Sequence, residues 1–582
     1  MKKLVLIFVI LSLLVGIVPV IHAQSDAPCD PNADYDALTR AAFDANDPEE
    51  ALRLSLCWLE IAPDENYALQ STANAYRWLE RYEEALPYYT RALELYPDDI
   101  YALSDRADSY FMLSEYELCL ADAQRAVEID GTYAYPRETL IACAYWWGDD
   151  ELAITNAEEL VSQGSQSAFS EMYHAGALYY VSDYERALEV VDGAIALDDT
   201  YPFAHMTRAR ILSELVRDEE ALEAINVALE LNPEYALGYA VRADVYKWLG
   251  EYELSIADIE KSLELNPDNL FALESRVLTE YHFDNYGAAI DAGEYVLSID
   301  PENTYILDEL AESYRFIGIC AEAIGYAEQG LAVDPEWWFM TRVKGNCQVA
   351  IGDSQAGIDT IMGIAQEDVE HIPFNYNTML RGYYQLGDYA SAVQMGKVST
   401  DDTADASYSW RLYGMALLAN GDIEGASEAF AQYRALETDP DYQVFPILYQ
   451  YYIASLTGEG DIDALSTELD NTVVLLNGEG EPAPESAIIE MDLNGIWFYT
   501  LDGVEAGASF TITATDADEA YYVDPMVVML DSEGYIVALG DFGQSFSDVI
   551  LEFTAEAGGD YAIGIVTDGY SYGTVEFTIT QN

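Results

Sequence analysis

Positive charge is what this chain has least of. Its 582 residues carry 25 Lys and Arg against 105 Asp and Glu, a formal net charge of −80. A field of that sign repels nucleic acid and anionic membrane surfaces and suits cationic proteins, divalent cations or a salty medium. It also keeps an aromatic-rich chain soluble. With 51% hydrophobic residues the chain is not a disordered acidic tail. Histidine is nearly absent: beyond residue 23 only His174, His205, His282 and His371 occur, far apart and without Cys or acidic neighbours at a metal-ligand spacing. That excludes a zinc site and a histidine-based triad, and no other catalytic set emerges, so no enzyme and no cofactor are expected.

Long apolar runs are missing after the first twenty residues. Lys2 and Lys3, the apolar stretch Leu4 to Val20 and the small-residue site Ile21-His22-Ala23 predict a secretory signal peptide over 1–23. The run is short for a membrane span, which favours cleavage over retention as an anchor. The chain is therefore expected to be exported, to a periplasmic, cell-surface or extracellular location. Its six cysteines fall into three neighbouring pairs, Cys29 with Cys57, Cys119 with Cys143 and Cys320 with Cys347, as disulfide staples would in an oxidising compartment. Gly131 lies midway between Cys119 and Cys143, so antiparallel helices joined there hold both thiols at one height. Around Pro335 the third pair is about one helical turn out of level. The alternative for these cysteines is small buried filler.

Proline is sparse but placed with a period. In steps of 34 from Pro63 come Pro97, Gly131, Ser165, Asp199, Pro233, Pro267, Pro301 and Pro335, residues that end helices. A second column with the same step reads Ala51, Ala85, Cys119, Ala153, Ala187, Ala221, Ser255, Ala289 and Ala323, small side chains for close helix approach. One beat holds two helical segments and two short turns, and only a stack of helix pairs imposes such a rhythm. The segments YALQSTANAYRWLERYEEALPYYTRALELYPDD and YALGYAVRADVYKWLGEYELSIADIEKSLELNPDN match small, aromatic and terminal proline positions along their whole length. They resemble the tetratricopeptide-repeat family. The resemblance implies an all-α superhelical solenoid over 32–476, about twelve repeats plus C-terminal capping helices.

In that family the first helix of each repeat can face a concave groove used for ligands. One column near the start of each first helix is aromatic: Tyr67, Tyr101, Tyr135, Phe169, Phe203, Phe271, Tyr305 and Phe339, with Leu237 the exception. A second reads Arg77, Phe111, Tyr145, Tyr179, Ser213, Lys247, Tyr281 and Arg315. Phenols and guanidinium groups suit a peptide groove, giving contact area and directed hydrogen bonds. The competing reading has the aromatics packing on the preceding repeat and Arg77, Lys247 and Arg315 pairing with nearby acids. The family's Lys and Asn clamp for peptide carboxylates is not reproduced.

Residues 477–486, NGEGEPAPES, read as an acidic Gly/Pro linker. Beyond it the period switches to alternation, with strands at 497–499, 509–515, 526–530, 535–539, 549–553, 561–566 and 574–579, which predicts a small all-β sandwich over 487–582. The pieces WFYTLDGVEAGASFTITAT, DPMVVMLDSEGYIVALGD, SDVILEFTAEAGGDYAIGIV and GTVEFTI resemble the pre-peptidase C-terminal domain of secreted bacterial proteins. Asp524, Asp531, Asp541 and Asp548 at strand ends are candidate calcium ligands, although turn chemistry accounts for Asp there equally.

The chain thus reads as an exported, non-enzymatic scaffold that binds a protein or peptide on the concave face and uses the sandwich for attachment. One alternative is a carbohydrate- or polymer-binding surface protein with the repeats as a stalk. Another is an accessory subunit of a secreted protease complex.

Overall fold

The computed structural model describes residues 29–364, 373–438, 444–472, 474–475, 481–482, 486–491, 495–516, 525–533, 535–540, 548–567 and 573–582. The expected signal segment and His371 lie outside them. The described residues form a helical solenoid followed by two mainly antiparallel β-sheets. The chain divides into two compact units, Met1–Ala272 and Leu273–Asn582.

Each hairpin is punctuated by the residues that set the beat. In the first, Asp47 accepts a hydrogen bond from the Glu50 amide, Pro48 opens the helix Pro48–Ile61, and Glu49 and Glu50 favour its positive end. That helix stops two residues before Pro63, as Tyr82–Leu95 stops before Pro97 and Tyr252–Leu265 before Pro267. All nine members of the small-residue column are fully buried, with no exposed surface. At Ser255 the hydroxyl is satisfied by the Ala243 carbonyl of the paired helix. The next position in that column is Gly357, where a Cβ would lie 2.8 Å from the Gly345 carbonyl oxygen. The helices approach so closely there that even alanine is excluded.

The turn inside each hairpin passes through the left-handed region once. The residues doing so are Asn46, Glu80, Ser114, Gly148, Ser182, Val216, Gly250, Asp284, Gly318, Gly352, Gly387 and Gly421. The step is 34 until one residue is inserted between Gly352 and Gly387. Glycine fits this conformation, whereas a β-branched residue such as Val216 is strained in it.

In the second unit the helices continue to Val444–Thr457 and Ile462–Thr472. Ten strands follow: β1 (Val474–Leu475), β2 (Glu481–Pro482), β3 (Ser486–Met491), β4 (Gly495–Val504), β5 (Ser509–Asp516), β6 (Pro525–Leu530), β7 (Ile536–Gly540), β8 (Asp548–Thr554), β9 (Gly559–Thr567) and β10 (Gly573–Gln581). One sheet has the order β1-β4-β9-β6-β7 with β2 beside β4, the other β3-β10-β5-β8. Strand β2 and the first residue of β3 fall within 477–486, and β3 precedes the first strand read from the sequence. Between the sheets Tyr499 stacks on Phe577 with centroids 5.2 Å apart, within a core that includes Val527, Met529, Ile563 and Ile565. The other face of β6 is buried too. Met526 and Val528, with Ile536 and Val566, pack with Phe445, Leu448 and Tyr449 of the helix Val444–Thr457. The sandwich closes the helical end that an open stack would leave bare.

Two cysteine pairs are disulfides: Cys29–Cys57 with Cα atoms 5.3 Å apart, and Cys119–Cys143 with 6.2 Å. The third expectation needs correction, because Cys320 and Cys347 are free and buried. Cys119 lies one turn inside its helix, Tyr116–Ile129, whereas Cys320 is the first residue of Cys320–Val333. The two thiols are therefore about a turn out of level, and they meet as a hydrogen-bonded pair.

Candidate ligand-binding face on the first helices

The aromatic column occupies the second residue of each first helix, as with Tyr67 in Asn66–Trp78 and Phe203 in Pro202–Glu214. The other column lies about three turns further along the same helices, from Arg77 to Arg315. Within the first unit both columns meet. Phe169 lies 6.4 Å from Phe111 and 5.1 Å from Tyr173, and Phe203 lies 5.1 Å from Tyr173 and 5.8 Å from Tyr145. These rings come from the first helices of successive repeats, not from the second helix of the preceding one. Tyr145 lies against Gly176, where a Cβ would be 2.6 Å from its ring. Tyr67 and Tyr101 remain exposed, at 61% and 62%.

Each of the three singled-out cations is held by an acid. Arg77 pairs with Asp108 at 2.7 Å and Asp105 at 3.2 Å and donates to the Tyr135 hydroxyl at 3.2 Å. Burial pushes the Asp105 carboxyl up to about 6, against the pull of Arg77. Lys247 is buried, donates to Asp244 at 2.8 Å, and lies 4.7 Å above the Trp248 ring. In the second unit Arg315 donates to Glu312 at 2.6 Å and covers Phe316 at 4.1 Å. Arg342 takes the other Glu312 oxygen. Phe316 also packs against Tyr281, while Tyr305 and Phe339 are exposed at 42% each. Asp308 is raised to about 7 by burial and by Glu312, with Arg342 opposing. With these cations engaged by acids, the face presents aromatic rings and carboxylates.

The calcium candidates do not form a described site. Asp524 and Asp541 lie outside the described residues, as does the side chain of Asp548. The Asp531 carboxylate accepts from the Glu533 and Tyr535 amides, the turn chemistry of an Asx motif. Among the described residues no group of acids, His and Cys could hold a metal ion.

One column escaped the sequence reading. Arg106, Arg208, Arg242, Arg276 and Lys344 fall on a single register of the 34-residue step. Arg106 grips Asp122 with two nitrogens, at 2.6 and 2.8 Å, and reaches back to Thr90 at 3.1 Å. Arg242 does the same with Asp258, and with Asn226 at 2.8 Å. Arg106 and Arg242 thus tie one hairpin to the one before it, as Arg208 does through Asp192 and Lys344 through Glu328, whereas Arg276 pairs with Glu280 of its own helix. The signal was legible: scarce cations recurring at the repeat period mark staples between repeats.

Family models described as tetratricopeptide repeat match residues 67–99, 174–236 and 237–269. The helix pairs there are tetratricopeptide repeats. Solved structures are similar to parts of the chain at low identity. One is YrrB, a tetratricopeptide-repeat protein with an unusual peptide-binding site, at 19% identity over 32% of this chain and 96% of that one, with a TM-score of 0.26. Another is the Cut9–Hcn1 hetero-tetramer of APC/C, at 13% identity over 76% and 93%, with a TM-score of 0.44. A third is a tetratricopeptide-repeat protein from Parabacteroides merdae ATCC 43184, at 17% identity over 42% and 98%, with a TM-score of 0.33. No curated protein matches the chain. Tetratricopeptide repeats act as protein-binding scaffolds, and among the described residues no helix is long and apolar enough to cross a membrane.

Proposed function

We propose that this chain is an exported, non-catalytic scaffold that holds a basic protein or peptide on the first-helix face of its tetratricopeptide repeats. The observation that carries this reading is the combination of exposed and contiguous aromatic rings with cations already neutralised by acids. Such a face offers flat apolar area in a chain with a large excess of acids, the complement of a Lys- and Arg-rich segment. The net charge of −80 adds long-range attraction for the same partner.

The sandwich, which resembles a pre-peptidase C-terminal domain, serves attachment in this reading. Its six-stranded sheet is buried against the last helices, so attachment falls to the four-stranded sheet. There Thr513 and Thr578 pair across β5 and β10. Affinity capture from the exported fraction with the full chain tests the proposal. Retention of cationic polypeptides, lost in high salt, is the expected result. Retention of cell-wall or polysaccharide material alone would favour the stalk reading instead. A fragment limited to 487–582 is unsuitable for that comparison, because it would bare Met526, Val528, Ile536 and Val566.

A further inference from the structure

Cys347 stands six steps of 34 residues beyond Cys143. Both lie on the first helix of a hairpin, each facing a cysteine on the second helix of the hairpin before. Yet Cys119 and Cys143 are bonded, whereas Cys320 and Cys347 are free. The difference is one turn. The residue six steps beyond Cys119 is Ala323, so Cys320 lies three residues from the level position, ~4.5 Å along the helix axis. The two thiols still meet as a hydrogen-bonded pair, within a core that includes Ala311, Ala323, Ala327 and Val343.

What separates this pair from a bond is the first turn of one helix. Cys320 opens the helix Cys320–Val333, Ile319 before it supplies no side-chain cap, and Gly318 enters the turn with a left-handed φ of 80°. A first turn held only by backbone is the part of a helix that opens most readily. An unwound residue spans about 3.3–3.6 Å in place of the ~1.5 Å it covers in a helix, so three released residues exceed the missing distance. The helices themselves cannot slide to close it, because at Gly330 a Cβ would collide with the Met340 sulfur of the next helix. The chemistry favours Cys320 as the attacking group. It heads a helix, where a thiolate is stabilised. The bond from Cys347 draws its thiol below the usual range, with Arg315 assisting, while the same bond and burial push Cys347 up.

We infer that Cys320 and Cys347 form a redox latch: when the first turn of Cys320–Val333 opens, a low-molecular-weight disulfide oxidises the pair, and the new bond staples the two hairpins together. The Cys320 thiolate attacks one sulfur of the small disulfide, whose S–S bond breaks as one thiolate leaves. Cys347 gives its proton to that thiolate and attacks the Cys320 sulfur, expelling the second half of the reagent. The pair loses two electrons and two protons, and the reagent takes up both and departs as two thiols. While the turn is closed the thiols are buried and the latch stays open. The latch stands independently of any ligand on the first-helix face.

The test incubates the full chain with cystamine, a cationic disulfide suited to an acidic protein, in buffer and in urea below the unfolding transition. Free thiols, peptide maps and melting are then followed. Closure of a Cys320–Cys347 bond is expected at least tenfold faster in the urea, and after its removal the oxidised chain should melt at least ~4 °C higher. Dithiothreitol should reverse that gain. The C347S variant is expected to stop as a cystamine adduct on Cys320 with no gain in melting, and C320S to keep Cys347 unmodified. Stable adducts on both cysteines of the wild type, thiols that stay free in the urea, or a closed bond without a rise in melting would each overturn the latch. Equal rates with and without urea would overturn the opening of the turn as its trigger.

Discussion

Arg242 clamps Asp258 from two sides, Nε to Oδ2 at 2.6 Å and Nη2 to Oδ1 at 2.9 Å, while its remaining nitrogen reaches Asn226. The aspartate is buried, and both of its oxygens accept from the guanidinium. Removing one partner strands the other. R242A is expected to cost about 2–4 kcal/mol, seen as earlier urea unfolding. The apolar double variant R242M/D258L should recover most of that loss, because a desolvated ion pair contributes little over well-packed apolar groups.

Val216 shows a local cost at the opposite extreme. It takes the left-handed turn position with φ of 56°, which Gly148 and Gly250 of the same column occupy without strain. Its side chain is 82% exposed and loses little contact on removal. V216G is expected to stabilise by about 1 kcal/mol, and G250V to destabilise by a similar amount. Paired urea titrations of the two variants check both signs.

The carboxyl of Asp308 holds its proton up to about pH 7 because it is buried beside Glu312. An unfolded aspartate releases it near pH ~3.9. Its protonated form therefore contributes stability in full below that value, and the contribution is lost as pH rises through about 7. D308N cannot ionise. Its melting advantage over wild type should be larger at pH 8 than at pH 5, by about 1–2 kcal/mol after allowance for screening. Equal advantages at both pH values would contradict this account of Asp308.

Much of this architecture was open to reading in advance. The proline and small-residue columns mark helix ends and close contacts because backbone sterics leave few residues that fit there, and all nine small residues are indeed buried. The change to alternating pattern after residue 490 likewise marks strands. Other features depend on three-dimensional partners. Strand β3 goes unread as a strand because its pairing is with β10, more than eighty residues on. The alternation of β6 is masked because Met526 to Met529 are apolar on both faces, one for each sheet side covered. For the binding face, the sequence yields the columns but not the acids that occupy Arg77, Lys247 and Arg315.

The cysteines offer a direct count. With Cys320 and Cys347 free, the denatured, unreduced chain should give two reactive thiols, and the folded chain none, because both are buried. The Cys320 thiol is drawn below its usual range by the bond from Cys347, with Arg315 assisting, so it should alkylate first on partial unfolding. Peptide mapping after alkylation identifies which residue carries the label.

The most direct measurement of the central claim is hydroxyl-radical footprinting of the full chain with and without its captured partner. Tyr67, Tyr101, Tyr305 and Phe339 are exposed rings at the start of first helices, Tyr295 is comparably exposed on a second helix and Tyr96 just beyond the end of another, and Tyr535 lies on the sandwich. A scaffold that grips through its first helices predicts protection of the first group while the others stay reactive. Protection confined to Tyr535 and the sandwich, with Tyr67 and Tyr101 unchanged, would contradict it.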